Sequence, residues 1–283
     1  MRSKFTLIYM TLALSMNCFS SVKTIGGHVD EIDNNNGVIH LAISGSVESS
    51  ACTATKIAEN YLITAAHCFH GQKIEALGVS TLSVNPSFDF SPLEFEQVFM
   101  HPDFEKLSVE DVESVSPTFS TPDIAIVKVI PSEEFKKIKI VSIDYDYIEE
   151  SEVIEFWGYG CQETLNDISG YVATRKKAVT VTVGESSMQE GYGVYTDFYR
   201  NFSKDAYEVS IFTVGKSKDS SKASLCLGDS GGPVIRNNKI VGINSNYTFD
   251  DLSAEGTESG ISYLNLHSRL SFVSTWIKQI VGD

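Results

Sequence analysis

Short runs of β-branched residues recur along the whole chain, and they constrain its fold more than any other feature. Turn-forming residues separate them, for example the segment NNNG at 34–37. This spacing is typical of an antiparallel barrel or sandwich and differs from strands that alternate with helices. We therefore expect an all-β fold. The predicted strands lie at 37–44, 58–64, 96–100, 124–130, 153–158, 178–183, 208–214, 240–244 and 260–264.

One helix is predicted, at the C-terminus, because apolar residues recur there at helical spacing with polar residues between them. These apolar residues are Leu270, Val273, Trp276, Ile277 and Ile280. Residues 105–121 are rich in acids and serine and predict a long exposed loop.

Charge excludes one class of partner. The 283 residues include 22 Lys and Arg against 37 Asp and Glu, a net charge of −15. Such a field repels phosphate backbones and anionic lipid heads, so we expect no nucleic-acid partner. A chain of this length buries about three quarters of its extended surface, so its core needs no metal or dense cross-linking.

Residues 1–21 resemble an export signal. Arg2 and Lys4 precede an apolar run at 5–16, and small residues around Cys18 mark a cleavage point. The run is too short to cross a bilayer, and no later stretch has the necessary length, so no membrane span is expected. A secreted or periplasmic protein is predicted. Two alternatives stay open, a buried N-terminal helix and a lipid-anchored form through Cys18.

Export to an oxidising compartment changes how the five cysteines are interpreted. Cleavage removes Cys18 and acylation would consume it, which leaves the even number that disulfides require. These four cysteines allow three connectivities. Their spacing does not match a zinc cluster, so no metal is predicted. The remaining cysteines are Cys52, Cys68, Cys161 and Cys226.

Three segments carry residue types that perform chemistry. They are TAAHC at 64–68, TPDIAIV at 121–127 and CLGDSGGP at 226–233. Taken singly, each has a structural explanation: an ordinary histidine, a capping aspartate and a glycine-rich turn. Together, in the order His67, Asp123 and Ser230, they favour nucleophilic catalysis.

The chemistry of a serine nucleophile explains why these types occur together. The Ser230 hydroxyl is a weak nucleophile at neutral pH and needs an adjacent base, which His67 supplies because its unperturbed pKa lies near working pH. Asp123 would hold the imidazole in one tautomer and stabilise the imidazolium. Glycines around Ser230 allow a sharp turn, so that the N–H groups of Gly228 and Ser230 converge on an oxyanion.

These segments resemble the trypsin- and chymotrypsin-like serine endopeptidases. Other matches are HPDF at 101–104, GYG at 158–160, VGI at 241–243 and the closing helix with its WI pair at 276–277. The likeness covers residues 24–283 and implies two antiparallel six-stranded β-barrels, a cleft between them and a C-terminal α-helix. It assigns His67 and Asp123 to the first barrel and Ser230 to the second. It also implies protein or peptide substrates, an acyl-enzyme and no cofactor.

The resemblance also assigns the disulfides. It pairs Cys52 with Cys68 and so leaves Cys161 for Cys226. In the family, the cysteine before the nucleophile usually pairs with one farther along the chain, and no cysteine follows Cys226 here.

The same resemblance assigns substrate specificity to three positions. Ser224 takes the base of the substrate pocket and brings no charge, which argues against substrates with Lys or Arg at the cleaved position. Ser245 begins the segment that pairs with substrate backbone. Tyr247 stands where the family often has glycine, and its ring would narrow the pocket unless it points away. We expect cleavage after uncharged residues.

Activation is implied as well. Thr24 begins a segment, TIGG, that resembles the mature N-terminus of the family, whose ammonium pairs with the acid before the nucleophile, here Asp229. Residues 22–23 then form a short propeptide remnant, and cleavage after Lys23 would need a separate activating protease.

Two other functions are weighed against a protease. A secreted binding protein could keep the fold without turnover if Tyr247 blocks the pocket or the loop around Ser230 never orders. A metal-dependent hydrolase would need a metal-ligand motif such as His-Glu-x-x-His, which the sequence lacks.

Overall fold

Two antiparallel β-sheets form most of the protein, seen here in a computed structural model. It describes residues 28–29, 36–47, 49–82, 90–113, 119–160, 175–184, 204–215, 223–250 and 262–282. The strands in chain order are β1 (His28–Val29), β2 (Val38–Gly45), β3 (Ser49–Ala58), β4 (Tyr61–Thr64), β5 (Ile74–Ser80), β6 (Ser91–Leu93), β7 (Phe95–Met100), β8 (Ala125–Val129), β9 (Val153–Gly158), β10 (Lys176–Val183), β11 (Ser210–Val214), β12 (Pro233–Arg236), β13 (Lys239–Asp250) and β14 (Ser262–Arg269).

The described helices are short. They are α1 (Pro102–Glu105), α2 (Val109–Glu113), α3 (Glu133–Lys137), α4 (Lys204–Val209) and α5 (Ser274–Val281), together with a 3₁₀ turn at Ala66–Cys68. None of these helices has the length and apolar character that crossing a bilayer requires.

The first sheet curls on itself. Its order is β6-β5-β2-β3-β4-β8-β7, so β6 and β7 lie at its two edges. Only Glu94 separates these strands along the chain, and β6 pairs with β5 while β7 pairs with β8. One bent segment therefore connects the two edges, and the sheet closes through the chain rather than through a recorded strand pairing.

The second sheet closes through hydrogen bonds. Its order is β1-β10-β11-β14-β13-β12-β9, and β10 pairs with β9 in addition. Six strands thus form a barrel. The two-residue strand β1 pairs with Lys176 and Lys177 of β10, along the edge of β10 that faces away from β9.

The largest apolar cluster fills the first sheet and extends to the C-terminal helix. Buried Leu270, Val273 and Ile277 belong to it, together with Ile240 and Ile243 of the second sheet. Helix α5 therefore packs its apolar face on the core of the first sheet, and this packing fastens the two sheets together.

The all-β fold class and the C-terminal helix are confirmed, with differences in detail. The first sheet has seven strands because the bend at Glu94 divides one long strand in two. Strands β1, β5, β6 and β12 lie outside the predicted runs, and β3 shares only Ala58 with them. The loop predicted at 105–121 contains helix α2, and Phe119 in it is buried.

Candidate active site

His67 lies directly after β4, on the 3₁₀ turn Ala66–Cys68. Buried Ala65 and Ala66 precede it, and small side chains there let the turn pack against the core. A disulfide joins Cys68, at the end of this turn, to Cys52 on β3. The imidazole is thus carried on a short segment that is fixed at both ends, with its side chain 26% exposed.

Asp123 presents both carboxylate oxygens to His67. Its Oδ2 lies 2.6 Å from His67 Nδ1, and its Oδ1 accepts the His67 backbone N–H at 2.8 Å. The hydroxyl of Ser245 donates to Oδ2 at 2.7 Å, and the Asp123 N–H donates to Ser268 Oγ at 3.1 Å. Since an ionised carboxylate only accepts hydrogen bonds, His67 Nδ1 carries the proton and Nε2 is left with its lone pair.

The two pKa values of this pair move apart. Burial raises the pKa of Asp123, but the charge and hydrogen bond of His67, with the bonds from Ser245 and the His67 N–H, outweigh it and lower that pKa below its ordinary value. Burial lowers the pKa of His67, yet the charge and hydrogen bond of Asp123 raise it above its ordinary value. Each group therefore stabilises the charged form of the other.

Ser230 lies in the nucleophile loop, which we define as residues 226–232. Gly228 has a φ of +96°, a conformation that side chains disfavour, and it turns the loop just before Ser230. In the part of the chain that is described, no hydrogen bond is recorded from the N–H of Gly228 or of Ser230. These N–H groups are the donors that an oxyanion would require.

No hydrogen bond between Ser230 Oγ and His67 is recorded within the described ranges. Catalytic hydrogen bonds are often long in free enzymes and shorten when substrate binds. Ser230 is nevertheless fixed from its other side, because its carbonyl accepts the N–H of Thr53 on β3 at 2.7 Å.

The loop packs closely against the first sheet. Gly231 has a φ of +82°, and a Cβ there would lie 1.9 Å from Thr64 Oγ1 and 2.2 Å from the Thr53 carbonyl oxygen. Only glycine fits such a contact. The residue after Ser230 is therefore held against the segment that leads to His67.

Asp229 is a buried carboxylate, only 1% exposed. Its Oδ1 accepts the N–H of Gly160 at 2.7 Å, and its Oδ2 accepts the N–H of Cys226 at 3.0 Å. Burial raises the pKa of Asp229 to about 6, against the Gly160 bond, the positive charge of Lys176 and the Cys226 bond. Lys176 is fully buried on β10, opposite Gly158 of β9. A Cβ added to Gly158 would lie 2.1 Å from Asp229 Oδ1, so the carboxylate packs directly against this strand.

Ser224 is fully buried between two backbone groups that one side chain holds. Asn265 Oδ1 accepts the N–H of Leu225 at 2.8 Å, and Asn265 Nδ2 donates to the Ala223 carbonyl at 3.0 Å. Tyr247 lies directly opposite Asn265 in the β13–β14 pair, and its ring packs on the apolar cluster that contains Ala223 and Leu225. Residues opposite each other share a face of the sheet, so Asn265 and Tyr247 both border the segment around Ser224.

A chain of buried polar groups continues from Asn265 to the nucleophile loop. Asn265 Nδ2 also donates to Thr213 Oγ1 at 3.0 Å, which lies 3.1 Å from His267 Nε2. His267 Nδ1 lies 2.9 Å from Asn244 Oδ1, and Asn244 Nδ2 donates to the Asp229 carbonyl at 3.2 Å. A neutral His267, whose Nδ1 donates to Asn244 and whose Nε2 accepts the Thr213 hydroxyl, satisfies these bonds, and burial lowers the pKa of His267 to about 3.

Other sequence expectations concern cysteines and the N-terminus. The Cys52–Cys68 bond is present. Cys226 is also disulfide-bonded, but Cys161, like Cys18, lies outside the described residues, so that pairing stays a prediction. Thr24, the export signal at 1–21 and residues 22–23 lie outside them too. Within the described ranges, one group of side chains lies close enough together to hold a metal ion: Cys52, His67 and Cys68. The two cysteine sulfurs in it are bonded to each other as a disulfide.

Sequence reasoning missed several residues that surround this site. Asn265 and His267 alternate with leucines on β14, a pattern typical of a strand whose polar face meets water, yet both are fully buried. Thr53 and Lys176 lie in ordinary strand sequence, and no motif marks them.

Comparison with known proteins finds a matching family and similar sequences. The family model described as Trypsin matches residues 24–269. Trypsin Blo t 3 of Blomia tropicalis is 26% identical over 238 residues, covering 81% of this chain and 77% of that protein.

Solved structures share the fold at lower identity. The scabies mite inactivated protease paralogue S-D1 has a TM-score of 0.62 at 17% identity, covering 91% of this chain and 97% of that one. Neuropsin, a serine protease expressed in the limbic system of mouse brain, has a TM-score of 0.59 at 18% identity, covering 89% and 97%. HL collagenase has a TM-score of 0.61 at 18% identity, covering 92% and 99%.

Proposed function

Because the chain belongs to the trypsin family, we propose that it is a secreted serine endopeptidase whose catalytic residues are His67, Asp123 and Ser230. The observation that carries this proposal is the bidentate contact of Asp123 with the side chain and backbone of His67, at 2.6 and 2.8 Å. Both carboxylate oxygens thus hold this histidine, and one of its ring nitrogens is left for a second group.

Ser230 attacks the peptide carbonyl while His67 Nε2 takes the hydroxyl proton. The new C–O bond gives a tetrahedral oxyanion, which collapses to the acyl-enzyme as the C–N bond breaks and His67 returns the proton to the leaving amine. Water then repeats the sequence and frees Ser230. The raised pKa of His67 favours proton transfer, and buried Asp123 stabilises the imidazolium that forms.

The N–H groups of Gly228 and Ser230 stabilise the oxyanion in this proposal. Loss of one such donor typically costs about 3 kcal/mol in the barrier. Both donors lie in one short loop whose N–H groups at Cys226, Asp229, Gly231 and Gly232 are hydrogen-bonded, so little reorganisation is needed when charge develops.

Substrate preference follows from the pocket around Ser224. Its described polar groups, the Ser224 hydroxyl and the Asn265 carboxamide, carry no charge, and Tyr247 borders the same space. A buried Lys or Arg side chain would lack a counter-charge there. We expect cuts after small or medium uncharged residues, with Ser245 and its neighbours pairing with substrate backbone. A peptide-library digest dominated by cuts after Lys or Arg would refute this preference.

Activation would pair the Thr24 ammonium with Asp229 after removal of residues 1–21 and 22–23, leaving the domain 24–283. Burial raises the pKa of Asp229 to about 6 although Lys176 and two N–H donors act against it, so a further cation would stabilise the buried carboxylate. The pocket chemistry does not favour self-cleavage after Lys23, so a separate protease is expected to act. Equal activity of proteins that start at residue 22 and at Thr24 would contradict this step.

An inactive binding protein is the second candidate. Two observations favour it: no hydrogen bond joins Ser230 to His67 among the described residues, and Tyr247 borders the pocket. The similar structure S-D1 is itself named an inactivated paralogue.

Diisopropyl fluorophosphate separates the two candidates, because stable phosphorylation needs an activated serine. We expect peptide mapping to find the adduct on Ser230 of protein starting at Thr24, with none in Ser230→Ala or in urea-unfolded protein. Absence of the adduct from the folded wild type would reject the protease.

A further inference from the structure

Thr53 makes three hydrogen bonds at the point where the first sheet meets the nucleophile loop. Its N–H donates to the Ser230 carbonyl at 2.7 Å, and its hydroxyl donates to the Gly228 carbonyl at 2.8 Å. The same hydroxyl accepts the N–H of Tyr159 at 3.0 Å. One residue therefore contacts both members of the proposed oxyanion hole.

The backbone of Thr53 is fixed in turn. Its carbonyl accepts the hydroxyl of Thr64 at 2.7 Å, on the strand that leads to His67. The neighbouring Cys52 is bonded to Cys68, which follows His67. The strand that carries Thr53 is thus tied to the segment that carries His67 on both sides.

These bonds restrict the loop where its geometry is least constrained by sequence. Glycine has more conformational freedom than any other residue type, and Gly228 uses it to adopt a φ of +96°. Its carbonyl is bound by Thr53, and the N–H on the other side of the same peptide, that of Asp229, donates to the Cys226 carbonyl at 3.0 Å. Fixing this peptide plane limits rotation at Gly228 and so limits the direction of the Gly228 N–H.

We propose that Thr53 is a positioning residue: its hydroxyl, bonded to the Gly228 carbonyl, orients the Gly228 N–H as an oxyanion donor, while its backbone N–H holds Ser230 beside the base on His67. The inference rests on the proposed function. Thr53 is fully buried, and its hydroxyl contacts none of the proposed reacting atoms, so it acts only through the nucleophile loop.

Thr55 provides a matched control. It lies two residues along β3, is also 0% exposed, and its Oγ1 has no hydrogen-bond partner among the described residues. Thr55→Val therefore removes a buried threonine hydroxyl from the same strand without removing a hydrogen bond.

The experiment compares Thr53→Val, Thr53→Ser and Thr55→Val for kcat and KM on one peptide substrate, and for hydrogen–deuterium exchange of the peptide that spans residues 226–232. Valine has nearly the shape of threonine but no hydroxyl, and misplaced donors lower rate more than binding. We expect Thr53→Val to lower kcat by about 10- to 100-fold at an almost unchanged KM. Thr53→Ser should restore most of kcat and Thr55→Val should keep it, and only Thr53→Val should speed exchange in the loop.

Several results would overturn the proposal. They are an unchanged kcat in Thr53→Val, equal losses in Thr53→Val and Thr55→Val, or a loss that Thr53→Ser does not rescue. If Thr53→Val fails to fold, Thr53→Ala against Thr53→Ser makes the same comparison.

Failure of the function itself looks different. A wild type that neither hydrolyses peptide nor accepts the fluorophosphate refutes the protease, and loop exchange then decides the role of Thr53 alone, since unchanged exchange in Thr53→Val would reject it.

Discussion

Burial of His40 should make the folding free energy fall in acid, and one substitution should remove the part of that loss which His40 causes. It lies on β2 with 1% of its surface exposed, between the rings of Phe90 and Tyr159 at centroid distances of 5.0 and 5.1 Å. Neither ring nitrogen has a hydrogen-bond partner among the described residues. Burial lowers the pKa of His40 to about 4, because the charged form loses its hydration.

The sign and size of the effect follow from linkage. A histidine whose pKa is lowered on folding binds more protons when unfolded, so stability falls as pH falls from about 6.5 to about 4. Each pH unit inside that window costs about 1.4 kcal/mol, so between pH 8 and pH 5 His40 should remove about 2 kcal/mol. This is a large share of a folding free energy of about 5–15 kcal/mol.

The assay is urea unfolding of the wild type and of His40→Phe at pH 8 and at pH 5. Phenylalanine fills the aromatic site without a titrating group, so the wild type should lose about 2 kcal/mol more than the variant between the two pH values. Comparing the two losses cancels the effects of His267, Asp229 and His67, which titrate in both proteins. Parallel losses would show that His40 is not the acid-sensitive group.

Two further predictions concern Lys176 and the disulfide. Lys176→Met removes a cation that lowers the pKa of Asp229, so that pKa should rise beyond about 6 in a carbon-13 aspartate titration; an unchanged value would show that the ammonium does not act on this carboxylate. Replacing Cys52 and Cys68 together by serine opens a loop with a sequence separation of 16, which should cost about 3 kcal/mol of unfolding free energy in urea, and a loss below about 1 kcal/mol would contradict the chain-entropy estimate.

The elements that sequence predicted best are those with a regular apolar pattern. The strand predicted at 153–158 coincides with β9, and the C-terminal apolar residues lie in or beside α5. Strand β3 was not predicted, because its sequence SSACTATKIA has small and polar residues where an apolar run is expected. Thr53 on this strand is fully buried, and its N–H and hydroxyl bond to the nucleophile loop beside the other sheet.

The same physical reason limited the prediction of the site. His67, Asp123 and Ser230 occur in recognisable motifs, and their residue types indicate nucleophilic catalysis. Asn265 and His267 do not, because only the fold shows that their polar groups are satisfied inside the barrel. Positioning residues depend on distances between segments far apart in the chain, which no local pattern contains.

The most direct test of the proposed mechanism is the pH dependence of kcat/KM in the wild type and in Asp123→Asn. If His67 is the base and Asp123 raises its pKa, the wild-type rate should increase with pH through a single ionisation above 6.5. Asparagine would favour the wrong tautomer of His67 and should lower the rate by about 10⁴-fold. A wild-type rate that is flat from pH 5 to pH 9, or an Asp123→Asn variant within about tenfold of wild type, would contradict the mechanism.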